Sequence, residues 1–319
     1  MTKSPWGHRL ACMTAGMTLL LLIIGGLVTS NEAGDSVPDW PLAFGRLLPL
    51  GYLVGNVVYE YTHRVVAASV GVLTLVLNLW LWRREQRPWI RHVGWAALIA
   101  VVTQGLLGGV RVLLLEYRVP VAIIHATLAQ LFFSLTIVLV EITSARWEAL
   151  SPQGEGSAKE PSRARALASL SVAALFVQLI LGAAYRHKAI GIIPHAVGAG
   201  VVSLLLVLAV RSVLRVTRTP SAATLEPTRT LLRRPARWVL GTLLVQVPLG
   251  IAAYLARRAS IGDPQPMEPM ISLTVSHLAC GAVLLAATLT LALRLHRVFG
   301  AGMEKRELST AVPRPMTSS

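Results

Sequence analysis

Four of the eight histidines in the chain, His63, His125, His195 and His277, fall inside long apolar runs. An ionisable side chain is costly there and marks function by default. Each stands about five residues into its run and is followed four positions later by a small residue: Ala67, Ala129, Ala199 and Gly281. Imidazole is a common metal ligand, and haem iron accepts two axial imidazoles from facing helices of a bundle. Four histidines at matching depth therefore read as two pairs, His63 with His125 and His195 with His277, and two haem sites fit best. Zinc would want three or four convergent ligands. Cys12 falls near the inner end of its run and Cys280 in the outer part of its own, in opposite leaflets, which supports neither a zinc site nor a disulfide. The other histidines, His8, His92, His187 and His296, read as solvated or interfacial.

Glu60, His63 and Arg64 stand at i, i+3 and i+4, on one helical face. Such a carboxylate is either a helix-start charge paired with Arg64 or a group set against a haem face, able to take up protons or stabilise positive charge during an oxidation. The equivalent positions before His195 and His277 are Ile192 and Thr274. That asymmetry suggests that one haem site does chemistry and the other carries electrons.

The elements that must position these residues follow from composition. Of 319 residues, 54% are hydrophobic and 14% charged, against about a quarter charged in soluble domains, and the mean hydropathy is +0.61. An ordinary soluble enzyme is excluded. A bilayer core of roughly 30 Å needs about 20 apolar residues per helix, and eight such runs lie near residues 9–29, 58–82, 92–110, 120–143, 165–184, 190–213, 236–256 and 270–294. The first ends in Val28-Thr29-Ser30-Asn31 without a small-x-small cleavage site and reads as an uncleaved span. The net charge of +15 reports orientation, because 22 of the 30 Lys and Arg residues fall on one side of the spans. By the positive-inside rule both termini are cytoplasmic, and no nucleic-acid partner is needed.

The odd runs share a motif: Gln104-Gly-Leu-Leu-Gly108, Gln178-Leu-Ile-Leu-Gly182 and Gln246-Val-Pro-Leu-Gly250, with Leu21-Leu-Ile-Ile-Gly25 at the same depth. The even runs share the histidines. The expected fold is thus an all-α integral membrane protein whose eight transmembrane helices form two tandem pseudo-symmetric four-helix bundles. These halves are parallel repeats related by an axis along the membrane normal. The expected bundles are residues 1–150 and 165–295, with a polar cytoplasmic linker at 151–164 and a cytoplasmic tail at 296–319.

Together these residues resemble the haem A synthases, the CtaA/COX15 family. The resemblance covers nearly all of residues 9–295. It rests on Gly25-Gly-Leu-Val-Thr-Ser30, Ser36-Val-Pro-Asp-Trp-Pro-Leu42, Glu60-Tyr-Thr-His-Arg64, Gln104-Gly-Leu-Leu-Gly-Gly-Val-Arg111, the His125 run, Tyr185-Arg-His-Lys188 with His195, and the His277 run. It implies a multi-pass protein of the cell (inner) membrane that oxidises the C8 methyl group of haem O to the formyl group of haem A. By that likeness His63 and His125 attend the substrate haem O with Glu60 as the catalytic carboxylate, and His195 and His277 ligate a haem b cofactor. The implied partners are a haem O synthase and cytochrome oxidase assembly factors, besides the lipid bilayer and a possible homo-oligomer.

Many family members carry a cysteine pair where this chain has Val37 and Ala43, so thiol exchange in that loop is not expected here. The loop's Trp40, Pro41, Phe44 and Leu47 to Leu50 could form an interfacial lid over the N-terminal haem. Arg64, Arg111, Arg118, Arg186, Lys188, Arg257 and Arg258 are candidate partners for haem propionates. Two other functions remain open: a di-haem electron-transfer cytochrome (a quinol or ferric reductase), which needs no Glu60, and a transporter built from parallel repeats, which needs no haem.

Overall fold

The computed structural model describes residues 5–150, 159–218, 226–262 and 268–300, which are helical throughout apart from connecting loops. Eight long helices cross the molecule: α1 (Trp6–Ser30), α2 (Asn56–Arg84), α3 (Pro88–Leu113), α4 (Arg118–Ile142), α6 (Lys159–Arg186), α7 (Ile192–Val216), α8 (Glu226–Ala259) and α9 (Glu268–Phe299). A short α5 (Ala145–Ala149) follows α4. All eight are long and apolar enough to span a membrane, so this is a multi-pass all-α membrane protein.

The helices mostly outrun the apolar runs that predict them, because charged and polar residues continue the backbone hydrogen-bond ladder past the apolar stretch. Pro88 opens α3 at a position where its missing N–H is no loss. Helix α6 begins at Lys159, inside the expected linker, and 151–158 lie outside the described residues. The 34 residues of α8 reach about 51 Å at 1.5 Å per residue. Its arginine-bearing first turns therefore project beyond an apolar core.

Helices α1 to α4 pack in a closed ring, each against the next and α4 against α1; α6 to α9 form a second ring in the same order. Each ring has its own apolar core, Leu77, Leu81, Ile90, Phe132 and Leu139 in the first and Leu206, Val213, Leu232, Leu285 and Leu291 in the second. Many outward side chains, Val72, Ile99, Leu204 and Leu244 among them, are apolar and exposed, as a lipid-facing surface requires. Threonines inside the helices bond back to carbonyls four residues earlier, as Thr14, Thr18, Thr74 and Thr288 do.

The face where α1 starts and α9 ends is the near face here, and the opposite one the far face. The rings meet where α9 lies against α1 and α4, and α4 against α6. Near the near face Arg294 of α9 donates to both oxygens of Glu141 of α4, at 2.6 and 2.9 Å, and to the Leu231 carbonyl at 2.8 Å. Both side chains are buried. At the far face Arg186 ends α6 and donates to the Gly26 carbonyl and the Ser30 hydroxyl of α1, at 2.8 and 2.7 Å.

A buried pair loses most when one charge is left alone. Glu141→Gln or Arg294→Met should each lower stability by about 3–5 kcal/mol, whereas the double variant Glu141→Leu with Arg294→Met should lose clearly less. Equilibrium unfolding in detergent micelles measures this; equal losses in single and double variants would show that packing, not charge pairing, joins the halves here.

Candidate functional site

Every histidine of the four lies against a glycine of the preceding helix. A Cβ added at Gly25 would come 3.1 Å from Cε1 of His63, at Gly108 3.6 Å from that of His125, at Gly182 3.0 Å from that of His195, and at Gly250 2.7 Å from that of His277. These are the motif glycines of α1, α3, α6 and α8. Their missing side chains let imidazole rings lie on helix backbone, as small residues do at membrane-helix interfaces. Measured from their helix starts the rings are unevenly placed: seven residues in for His63 and His125, three for His195 and nine for His277. The facing glycine, rather than distance from the helix start, is what the four share.

The motif glutamines separate the pairs. Gln246 offers its backbone carbonyl 3.2 Å from His277 Nδ1, so that Nδ1–H donates and the Nε2 lone pair is kept for a ligand. Its amide nitrogen stands 3.4 Å from that Nε2, a weak contact that a metal would displace. Gln178 reaches His195 Nδ1 at 3.0 Å and the His195 carbonyl at 2.8 Å. The carbonyl can only accept, so the Gln178 amide nitrogen donates to it and its second N–H points to Nδ1, which holds the ring in place. In the first half, Gln104 bonds only the His125 carbonyl, at 3.0 Å, and Leu21 replaces the glutamine opposite His63. The Nδ1 atoms of His63 and His125 are both buried without a partner. One pair is thus held by its neighbours and the other is not.

The His195 and His277 rings stand 6.3 Å apart, centroid to centroid, at an interplanar angle of 82°. Two imidazole nitrogens each about 2 Å from one metal ion put ring centroids about 6 Å apart, so this pair suits a metal taking one imidazole from each side. Tyr185 stacks beside His195 at 6.5 Å, with Arg257 over its ring. His63 and His125 lie within electrostatic reach of one another and of Arg111. Among the described residues no group of three or more His, Cys, Asp or Glu could hold a metal ion.

Glu60 is buried one turn before His63, and both its oxygens are engaged: Oε1 accepts from Arg64 at 2.6 Å and Oε2 from the Val37 N–H at 2.9 Å. Arg64 also donates to the carbonyls of Val37, Asp39 and Leu42. The segment 31–55 is tied down further by Asp35 on Arg118 at 3.0 Å, by Tyr61 on the Leu47 carbonyl at 2.7 Å, and by the Trp40 ring lying on Gly109. Asp39 accepts the Gly45 and Phe44 N–H groups, which hold its carboxyl below the usual range. This segment covers the far-face end of the first histidine pair while its Leu47, Leu48 and Leu50 point outward, exposed.

Two readings from sequence change. Arg64 and Arg118, candidates for external anions, are committed to Glu60, the loop carbonyls and Asp35. His187, read as solvated, is half-buried within reach of His125; burial and then Arg186, Arg111 and Arg257 push it down to about 4, so the ring is neutral. The roles of Gln178 and Gln246 were not legible as ring partners, although the repeated Gln-x-x-x-Gly spacing is the signal that carries them.

The model of the COX15-CtaA family, described as cytochrome oxidase assembly protein, matches residues 54–194. That stretch contains Glu60, His63 and His125 and stops one residue short of His195. Proteins named heme A synthase are similar to parts of the chain. The one from Shouchella clausii is 33% identical over 136 residues, 42% of this chain and 44% of that protein. The one from Alkalihalophilus pseudofirmus is 34% identical over 92 residues, 28% of this chain and 31% of that protein. The one from Granulibacter bethesdensis is 31% identical over 138 residues, 41% of this chain and 36% of that protein. Each match spans less than half of the relative's own length. Residues 54–194, with Glu60, His63 and His125 inside them, are thus similar to the COX15-CtaA family over somewhat less than half of the chain.

Proposed function

We propose that the chain is a haem A synthase. The observation that carries this reading is the difference between the two histidine pairs, one with its Nδ1 atoms held and the other with them free beside a buried carboxylate. A ligand ring held at Nδ1 by a neighbouring group keeps its orientation, which suits a resident cofactor at His195 and His277. Rings without such partners can turn and release what they bind, which suits a substrate at His63 and His125. The resident group fitting a two-imidazole site is a haem b, which supplies one-electron transfer. Haem O is the substrate, and converting its C8 methyl group to formyl is a four-electron oxidation, R–CH3 + H2O → R–CHO + 4 H+ + 4 e−, by way of two hydroxylations and loss of water, with the electrons delivered to an acceptor outside the chain.

In this reading Glu60 keeps a negative charge within one turn of His63, where positive charge develops as electrons leave the substrate. Arg64 and the Val37 N–H fix that charge in place. The segment 31–55 excludes water from the same end, and glycines 25 and 108 leave ring-sized gaps on the opposing helices. Expected partners are a haem O synthase upstream and the assembly of cytochrome oxidase downstream, with the near face cytoplasmic. We keep the two halves as domains at 1–150 and 165–295. The second reading, a di-haem electron-transfer cytochrome, draws support from the engagement of both Glu60 oxygens, which a purely structural carboxylate would also show.

Expression with a source of haem O and analysis of the extracted haems separates the two readings. A synthase yields hydroxylated haem or haem A, and an electron-transfer cytochrome yields neither. Glu60→Ala should retain the resident haem while conversion falls roughly 10²-fold; unchanged conversion would remove Glu60 from the chemistry. His195→Ala and His277→Ala should each abolish the resident Soret band. Gly250→Ala should lower its occupancy, because the Cβ meets the His277 ring at 2.7 Å, while Gly108→Ala, which faces His125 of the other pair, should leave it intact. Equal occupancy in the two glycine variants would discount the close contact.

A further inference from the structure

Among the far-face cations, Arg111 stands apart. Arg64 and Arg118 hold carboxylates and loop carbonyls. Arg186 is fastened to α1, and Arg257 donates to the Arg186 carbonyl. Arg258 meets the Tyr254 hydroxyl on the surface, and Lys188 is exposed. Arg111 makes no hydrogen bond or ion pair with any described residue, and its Nε is buried without a partner.

Its position is defined on several sides. It lies in the last turn of α3, three residues past the glycine that faces His125. Its guanidinium is pressed against Gly34, where a Cβ would strike both terminal nitrogens. It lies within electrostatic reach of His63, His125 and the neutral ring of His187. The described carboxylates around it are already committed or turned outward: Glu60 to Arg64 and Val37, Asp35 to Arg118, Asp39 to its own loop, with Glu32 and Glu116 exposed. A guanidinium offers five donors in a planar fork that matches a carboxylate with two parallel bonds. A partly buried one without any acceptor is costly unless a ligand brings the acceptor with it.

We propose that Arg111 receives a propionate carboxylate of the porphyrin bound between His63 and His125, so that the macrocycle enters this site with its acidic edge toward the far face, beneath the segment 31–55. The inference rests on the haem reading of that pair. It makes Arg111 a binding residue for one edge of the substrate, with the guanidinium held in place against the loop at Gly34.

The test is a difference Soret titration of the full-length protein, carrying its resident haem, in lipid nanodiscs. Protohaem IX and its dimethyl ester are the probes for the second site, in phosphatidylcholine with and without phosphatidylglycerol. The free acid should bind about tenfold or more tightly than the ester. Arg111→Gln should erase that preference while leaving ester affinity unchanged, and Arg111→Lys should restore part of it. A variant that weakens acid and ester equally would show that Arg111 only packs. An affinity that follows phosphatidylglycerol content and ignores esterification would assign the anion to a lipid phosphate. A second haem bound equally as acid and ester by the unaltered protein overturns the assignment alone, whereas failure to bind any second haem overturns the haem reading of His63 and His125 and the assignment with it.

Discussion

Inside a bilayer a polar group has to find its partner within the protein, because hydrocarbon supplies none. Much of this structure follows from that constraint. Threonines fold back onto their own helices, Glu141 and Arg294 neutralise each other across the two rings, and Arg186 caps the carbonyl end of α1. His8, at the near face, reaches the Val140 carbonyl of α4. Against this accounting the exceptions are informative. The buried polar atoms left without partners include Nδ1 of His63, Nδ1 of His125 and Nε of Arg111, three atoms grouped at one end of the first ring. A cluster of unsatisfied groups in a membrane protein marks the place where a ligand completes the structure.

The two rings are built alike and finished differently. In both, a helix carrying a bare glycine presents its backbone to a histidine on the next helix, so one packing solution serves four times. Divergence enters through single residues. Glutamine stands four residues before the glycine in α6 and α8, and reaches the ring; in α1 the position is Leu21, and in α3 Gln104 stops at the backbone carbonyl. Glu60 has no counterpart in the second ring. The two rings thus share one histidine-on-glycine packing and differ in a few polar residues around it.

Legibility in sequence divided along physical lines. Span number, the two-bundle plan and the four histidines were readable because apolar length and period-independent spacing survive without tertiary context. Helix ends were not, since Lys159 and the arginine-rich start of α8 continue a helix by backbone bonding that hydropathy does not register. Arg294 counted in sequence as one more cation at a span end. Its pairing with Glu141, 153 residues away, is a tertiary fact that no local pattern carries. His187 likewise took its neutral state from burial first and then from arginines on three separate segments. Glu60 was legible as a carboxylate sharing a helix face with His63 and Arg64, yet its bond to the Val37 N–H depended on where the loop folded.

That loop, residues 31–55, contains no cysteine and is closed by hydrogen bonds instead. Val37 and Ala43 within it are both buried. Between them, Arg64 binds the carbonyls of Val37, Asp39 and Leu42, and Glu60 takes the Val37 N–H. A disulfide would close this stretch on itself; the arginine instead closes it onto α2, one residue from His63. The difference is consequential for the site. A covalent loop keeps its shape whatever lies beneath it, whereas here the shape of the cover and the charge of Glu60 depend on the same guanidinium. Whatever disturbs Arg64 must loosen the loop and unbalance the carboxylate together, so cover and carboxylate act as one unit in this chain.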